Sequence, residues 1–279
     1  FNSANVNIIY LGEIITMNKH INKIFSFFII LFLVSCAENE VVETNETEES
    51  NIGPFYAEFL ACTAGPDFSQ ENVTSMVESF NELNISESVW WVGGYAPIQG
   101  QNKYAGINGW WEIDWESKEA AEVAWKEWAA DEDAMAWDES TNSIIDCDTS
   151  NILPWNYYTP GTSTMEADDW LSFTTSTFEC NFNDGKTTDD LRANVQEFNK
   201  WVEENPSPGA YTYAIYLPDY DAEQDFLWLN WHGDMDTKVA GDKSWAETGQ
   251  SIQAKFDETA TCTGPDVYNS GQIYAPQSS

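Results

Sequence analysis

The sequence predicts an α+β protein built from two tandem copies of one βαββαβ unit, and three observations carry that prediction. Landmark residues recur at a nearly constant offset: Cys62 and Cys180, like Phe80 and Phe198, lie 118 positions apart. Trp111 and Trp228, and Trp128 and Trp245, lie 117 apart, and Cys147 and Cys262 lie 115 apart. Solenoid repeats run roughly 20–50 residues, so this spacing reads as a duplicated domain. Apolar periodicity switches between period two and period 3.6 in the same order within each copy. Each copy also carries one pair of cysteines at equivalent places.

The first copy spans residues 52–153. Residues 55–62 alternate apolar and polar side chains and read as a strand, and Gly65-Pro66-Asp67 then turns the chain. Ser69 is placed to cap a helix, along which Val73, Met76, Val77, Phe80 and Leu83 share one face. Residues 89–97 and 105–114 are aromatic strands joined by a polar Gly-Gln-Asn connection. Ser117 opens a second helix with Ala121, Ala124, Trp125 and Trp128 on one side, and a last strand starts near Cys147. Residues 154–169, with Pro160-Gly161 and several Ser and Thr, form the expected linker. The second copy, 170–279, repeats the order. Its first strand is 173–180, and Thr187-x-x-Asp190 resembles a capping box. A helix follows with Leu191, Val195, Phe198 and Val202 on one face, then strands 211–217 and 225–231, and a helix from Asp236.

This order is that of a ferredoxin-like βαββαβ unit. Its first and last strands lie side by side and antiparallel, so the end of one meets the start of the other, where each cysteine pair falls. Four cysteines allow three pairings; duplication of an already bonded domain selects Cys62–Cys147 and Cys180–Cys262. Each bridge closes a loop of roughly 85 residues, worth about 4–5 kcal/mol in the chain-entropy view. A four-thiol metal site is the rival reading, but Cys-x-x-Cys spacing is missing. Two such sheets, facing one another, resemble the dimeric α/β-barrel superfamily. The segment Trp115-Glu-Ser-Lys-Glu-Ala-Ala-Glu-Val-Ala-Trp125 resembles its strand-to-helix joint. The resemblance covers about residues 55–275. It implies that the duplication supplies both halves of an intramolecular barrel. Members include cofactor-independent monooxygenases, small isomerases and haem-degrading enzymes. The last use a helix histidine as iron ligand, and this sequence places none in a predicted helix.

Residues 1–16 read as upstream of Met17. From Met17, Lys19, His20 and Lys23 precede the apolar run 24–34, too short to cross a bilayer as a helix. The run ends in Leu33-Val34-Ser35-Cys36, which resembles the lipobox of bacterial lipoproteins. That resemblance implies a signal peptide over 17–35, cleavage before Cys36 and acylation of its sulfur. A lipid anchor then holds the protein in a membrane. By the same resemblance, Ala37 carries no inner-membrane retention signal, so the outer membrane is expected, with the folded part in the periplasm or at the surface. Residues 36–51 carry six glutamates and read as an acidic tether that cannot bury a core.

Loss of residues 1–35 removes Lys19, Lys23 and Glu13 and takes the net charge from −36 to −37. Such a surface repels nucleic acid and anionic lipid. The charge reads as a solvation device, with cation binding as its functional rival. Aromatic content of 15%, with 14 Trp, nonetheless supplies a core.

The mature chain has one histidine, His232, and its counterpart in the first copy is Trp115. Beside Asp234 and Asp236 it reads as a general base with raised pKa, or as a metal ligand with both. The plainer reading is a surface histidine in a loop whose Asp236 caps the next helix. Trp91, Tyr95, Trp111, Trp228 and Trp231 are candidate walls of a pocket for a flat apolar ligand or a sugar. Glu112, Asp114, Tyr213 and Asn230 are polar groups near them. Strand alternation means that only one of Trp90 and Trp91, and one of Trp110 and Trp111, can face one cavity. A single histidine argues against triad hydrolysis, and no motif specifies a metal or a cofactor. Two functions fit: an envelope lipoprotein binding a small hydrophobic ligand or a protein partner, and an α/β-barrel enzyme with His232 as acid/base.

Overall fold

The computed structural model describes residues 52–99 and 107–276. Cys36, the acidic tether and the Gly-Gln-Asn connection lie outside them. In the first repeat the chain forms β1 (Phe55–Ala64), α1 (Gln70–Phe80), β2 (Val89–Gln99), β3 (Gly109–Trp115), α2 (Lys118–Trp128), α3 (Glu132–Thr141), β4 (Ile145–Cys147) and β5 (Leu153–Tyr158). A short 3-10 turn over Asp169–Leu171 leads into β6 (Phe173–Phe182), α4 (Thr188–Glu204), β7 (Tyr211–Pro218), β8 (Phe226–His232), α5 (Met235–Thr248), α6 (Gln250–Thr259) and β9 (Ala260–Tyr274).

The helix starts obey local chemistry. Ser69 Oγ accepts from Asn72 N at 3.2 Å and opens α1, while Ser117 Oγ accepts from Ala120 N at 3.2 Å and opens α2. Thr187 and Asp190 form the capping box of α4. Each such cap stabilises by about 1 kcal/mol by satisfying an amide that the helix leaves unpaired.

All strand pairings are antiparallel, and they close a ring. β1 pairs with β3 (Leu60↔Trp111), β3 with β2 (Val92↔Ile113) and β2 with β9 (Tyr95↔Ser270). β9 pairs with β6 (Cys180↔Cys262), β6 with β8 (Ser176↔Asn230) and β8 with β7 (Ala214↔Leu229). β7 pairs with β5 (Tyr157↔Tyr216), and β5 returns to β1 (Ala57↔Trp155). Each repeat is therefore a ferredoxin-like sheet, and the last strand of each repeat pairs with the second strand of the other. The result is an α/β barrel formed within one chain. An eight-stranded barrel has an interior just wide enough for side chains to fill.

Alternation gives every strand an inner and an outer face. The inner faces pack Phe59, Tyr95, Trp155, Tyr157, Tyr216 and Trp231 against one another. The outer face of the first repeat packs Leu60, Val92, Ile113 and Trp115 with Phe80, Ala121 and Ala124 from the helices. That of the second packs Tyr213, Ile215 and Phe226 with Leu191, Val195 and Phe198. Disulfides Cys62–Cys147 and Cys180–Cys262 join the first and last strands of their own repeats, in the expected pairing.

Three boundaries differ from the sequence reading. The second helix of each repeat is split, into α2 with α3 and into α5 with α6. The stretch 153–158, placed mostly in the linker, is β5, a barrel strand. The last strand of the first repeat therefore runs in two pieces along β1: β4 opposite residues 62–64 and β5 opposite 55–59. Pro154 and Pro160-Gly161 read as linker punctuation, yet Pro154 pairs with Glu58 in the ladder. Finally, Asp234 rather than Asp236 caps α5, its Oδ1 accepting from Thr237 N at 2.7 Å.

Candidate ligand site

The outer face of β8 sends Phe226, Trp228, Asn230 and His232 beneath α4, α5 and α6. A cavity of about 340 Å³ opens there, lined by these residues with Tyr211, Phe198, Trp201, Trp245 and Phe256. Its aromatic wall is held in fixed geometry. Trp228 stacks on Tyr213 with centroids 4.8 Å apart and rings within 5° of parallel. Phe198 and Phe256 meet Trp228 edge-on at 5.3 and 5.4 Å. Such pairs add about 0.5–1.5 kcal/mol each beyond area burial. The Asn230 side-chain oxygen accepts from Tyr211 Oη at 2.9 Å and from Trp228 Nε1 at 3.0 Å, fixing both rings. Tyr213 in turn donates to Asn199 on α4.

His232 ends β8 with only 5% of its surface exposed, and Tyr211 covers its ring at 5.0 Å. Its Nδ1 is buried without a hydrogen-bond partner. Burial pushes the imidazole pKa down to about 4, against the opposing pull of Asp242. The expected raised pKa and surface position are thus both corrected: His232 is a buried, neutral imidazole at neutral pH. The reason is that the strand continues through residue 232 and turns its side chain under α5, away from solvent. Asp234 acts on His232 through its charge, more weakly than Asp242 does. Its carboxylate is held below its usual range by the Thr237 amide, in its capping role. Among the described residues no group of three His, Cys, Asp or Glu is placed to hold a metal ion, so His232, Asp234 and Asp236 do not assemble as a ligand set. His232 is also the sole histidine among the described residues and lies on a strand, so the helix-histidine pattern for haem is not met.

The five aromatic candidates divide between three places. Tyr95 and Trp231 lie in the barrel interior, with Trp91 packed beside them. Trp228 lies on the second repeat's cavity. Trp111 lies under the first repeat's helices, on a smaller cavity of about 150 Å³, edge-on to Phe80 at 5.4 Å. The alternation rule holds for both tryptophan pairs: Trp91 and Trp110 turn toward the interior cluster, while Trp90 is 40% exposed. Of the polar candidates, Glu112 and Asp114 face into the barrel, whereas Tyr213 and Asn230 face the helices.

Sequence reasoning missed Trp201, Trp245, Phe256 and Asp242 as cavity residues, because they come from helices whose docking onto β8 is a tertiary fact. Tyr157 and Tyr216, which serve the buried acids, were hidden for the same reason. Glu58 gave a local signal, a lone charge in a β-prone run. It is buried and accepts from Trp125 Nε1 at 2.6 Å, and burial raises its pKa.

No protein-family model matches the chain, and no curated protein matches it either. Solved structures with a similar backbone include a monooxygenase candidate from Lactobacillus acidophilus NCFM (13% identity, 79% of this chain and 94% of that one, TM-score 0.47). An anthrone oxidase-like protein is similar at 12% identity, 79% and 94% coverage and TM-score 0.46. Chlorite dismutase from Candidatus Nitrospira defluvii is similar at 9% identity, 79% and 92% coverage and TM-score 0.47. Likeness of this depth assigns no activity.

Proposed function

We propose that this chain is a cell-envelope lipoprotein, anchored through Cys36, whose second repeat binds a small, flat, largely apolar molecule between the barrel and α4–α6. The cavity carries the binding reading. Its volume of about 340 Å³ falls within the ~300–1,000 Å³ of small-molecule sites, its walls are mostly aromatic, and one buried ring nitrogen stands ready for a polar contact. A buried polar group without a partner costs about 1–3 kcal/mol. A ligand that bonds His232 Nδ1 while covering Trp228 removes that cost and buries apolar surface as well. The lipid anchor rests on Leu33-Val34-Ser35-Cys36, and an outer-membrane location rests on Ala37 after the cysteine.

Native mass spectrometry of the full chain purified without denaturant tests both parts. The expected result is a retained small molecule and a diacylglycerol mass on Cys36, with Cys36→Ser lacking the latter. An empty protein, together with an experimental structure in which side chains fill the cavity, would remove the binding reading.

The unpartnered His232 Nδ1 favours one second reading, an enzyme of the cofactor-independent monooxygenase or isomerase type. In that reading the neutral imidazole accepts a proton from the bound substrate. With a pKa of about 4 it is a weak base, so the cavity would have to supply most of the rate by positioning. A His232→Ala variant that keeps its fold and all activity would sink this reading.

A further inference from the structure

At the His232 end of the cavity the two repeats differ at several positions that meet between strand and helix. By the 117 offset that relates Trp128 to Trp245, the first repeat's Trp115, Ala121, Ala124 and Trp125 become His232, Lys238, Gly241 and Asp242. In the first repeat these positions form a plug. Trp115 packs on Trp125 at 6.0 Å, Ala121 and Ala124 are buried, and Trp125 Nε1 donates to Glu58 at 2.6 Å. In the second repeat an imidazole, a glycine and a carboxylate line the cavity instead.

Gly241 breaks a local rule. It sits in the middle of α5 (Met235–Thr248), where only proline is a poorer helix former than glycine. A Cβ added there would lie 3.6 Å from His232 Cε1 and 4.0 Å from Nδ1, ordinary contacts that force nothing to move. Among the described residues, no other side chain beyond those of its chain neighbours comes within 4 Å of that point. Alanine would therefore fit and would strengthen the helix. Glycine instead keeps a methyl-sized gap against the ring edge whose Nδ1 has no hydrogen-bond partner. Natural proteins break local rules in this way at functional sites.

The charges around the gap are already engaged. Lys238 Nζ meets Asp242 Oδ2 at 2.6 Å, with the lysine side chain 8% exposed. Asp234 caps α5 through the Thr237 amide at 2.7 Å, and Asp257, the other acid on the cavity lining, accepts from Gln253 at 2.7 Å. A charged head group entering here would lose hydration without meeting a free counter-charge. The neutral imidazole offers one acceptor nitrogen, so a neutral donor is what the gap lacks.

We propose that the ligand of this cavity is a neutral planar ring bearing an N–H or O–H group, which donates to His232 Nδ1 through the gap at Gly241. This assignment rests on the proposal that the cavity binds a flat molecule, and it adds the head group, its charge and the residue that admits it.

Isothermal titration calorimetry of the full chain tests it, after dialysis until native mass spectrometry shows no retained molecule. The probes are indole, benzofuran, tryptamine and indole-3-carboxylate. Benzofuran keeps the bicyclic shape without a donor, tryptamine adds a positive charge, and indole-3-carboxylate adds a negative one. Indole should bind roughly tenfold tighter than benzofuran, and more tightly than either charged probe. Gly241→Ala should unfold at or above the parent's temperature yet bind indole roughly tenfold more weakly. His232→Phe should bind indole and benzofuran alike. Equal affinities for those two in the parent would overturn the donor assignment and leave the cavity reading standing. Tighter binding of tryptamine or indole-3-carboxylate would overturn neutrality, and undiminished indole affinity in Gly241→Ala would overturn the gap as the point of contact. If Gly241→Ala does not fold, His232→Phe decides, and a surviving preference for indole overturns the contact. Failure of all four probes to bind would remove the cavity reading and this assignment together.

Discussion

In the first repeat β3 sends Glu112 and Asp114 into the barrel and Trp111, Ile113 and Trp115 toward the helices. In the second, β8 sends the equivalent Leu229 and Trp231 inward and Trp228, Asn230 and His232 outward. The register makes the equivalence structural: Trp115 stands opposite Tyr56, and His232 opposite Thr174. The first repeat's outer face is closed by bulk. Trp115 packs on Trp125 at 6.0 Å, Tyr56 donates to Glu58 at 3.2 Å, and Trp137 of α3 meets Trp111 at 6.3 Å. Where Tyr56 and Glu58 stand in the first repeat, the second has Thr174 and Ser176. The cavities measure about 150 and 340 Å³ accordingly. One backbone plan thus gives a packed core or a pocket, depending on a few side chains, and the polar residues of the equivalent strand have exchanged faces.

The disulfides are where the repeats should differ least. They close sequence separations of 85 and 82 residues, so the chain-entropy view predicts a loss of about 4–5 kcal/mol for either double variant, Cys62→Ser/Cys147→Ser or Cys180→Ser/Cys262→Ser. Denaturant unfolding measures both. Losses differing by more than about 2 kcal/mol would show that the two halves do not unfold as one unit. The pocket is where they should differ most. His232→Trp places the first repeat's residue in the second and should weaken binding of the co-purified ligand, or of Nile red, roughly 100-fold, about 2.7 kcal/mol. Thermal unfolding should stay near the parent's, since the cavity has room for an indole. Unchanged affinity would mean that the ligand lies elsewhere.

The inward acids break the symmetry a second way, through pH. Burial holds the folded Glu112 pKa at about 7, above its ordinary 4.5. Between those values the folded state keeps a proton that the unfolded state has released. Stability from this group is therefore present below about pH 4.5, falls as pH rises toward 7, and levels off above. Glu112→Gln should flatten that part of the stability–pH curve and gain on the order of 3 kcal/mol at pH 8 relative to its effect at pH 4. Leu229, the counterpart in β8, contributes no such slope. An unaltered curve in Glu112→Gln would mean that Glu112 titrates near its ordinary value.

Much of this architecture was legible because the sequence states it twice. The cysteine pairs, the cap residues Ser69, Ser117 and Thr187, and the helix faces through Phe80 and Phe198 each follow from spacing alone. β5 was not legible, since Pro154 reads as turn chemistry and its place in the ladder with β1 overrides it. The site was half legible. His232 drew notice as a departure from the repeat, yet its burial depends on α5 folding back over β8, which no local pattern encodes. Grouping Trp91, Tyr95, Trp111, Trp228 and Trp231 failed for a simpler reason: aromatic content does not say which side of a sheet a ring faces.

The smallest test concerns the caps of equivalent helices, Ser117 for α2 and Asp234 for α5. Both accept an amide hydrogen bond, so Ser117→Ala and Asp234→Ala should each cost about 1 kcal/mol at pH 7. Asp234 should cost a few tenths more, because its charge also meets the positive end of the helix. Acid separates them. The Thr237 amide holds the Asp234 carboxyl below its usual range, so its contribution is present above the ordinary carboxylate pKa and is lost as pH falls through the folded value. The serine cap has no charge to lose. Unfolding of both variants at pH 7 and pH 3 should therefore show the Asp234→Ala penalty shrinking while that of Ser117→Ala holds. Equal penalties at both pH values would show that the aspartate caps as a neutral acceptor, and that this exchange of Ser for Asp between the repeats is without electrostatic consequence.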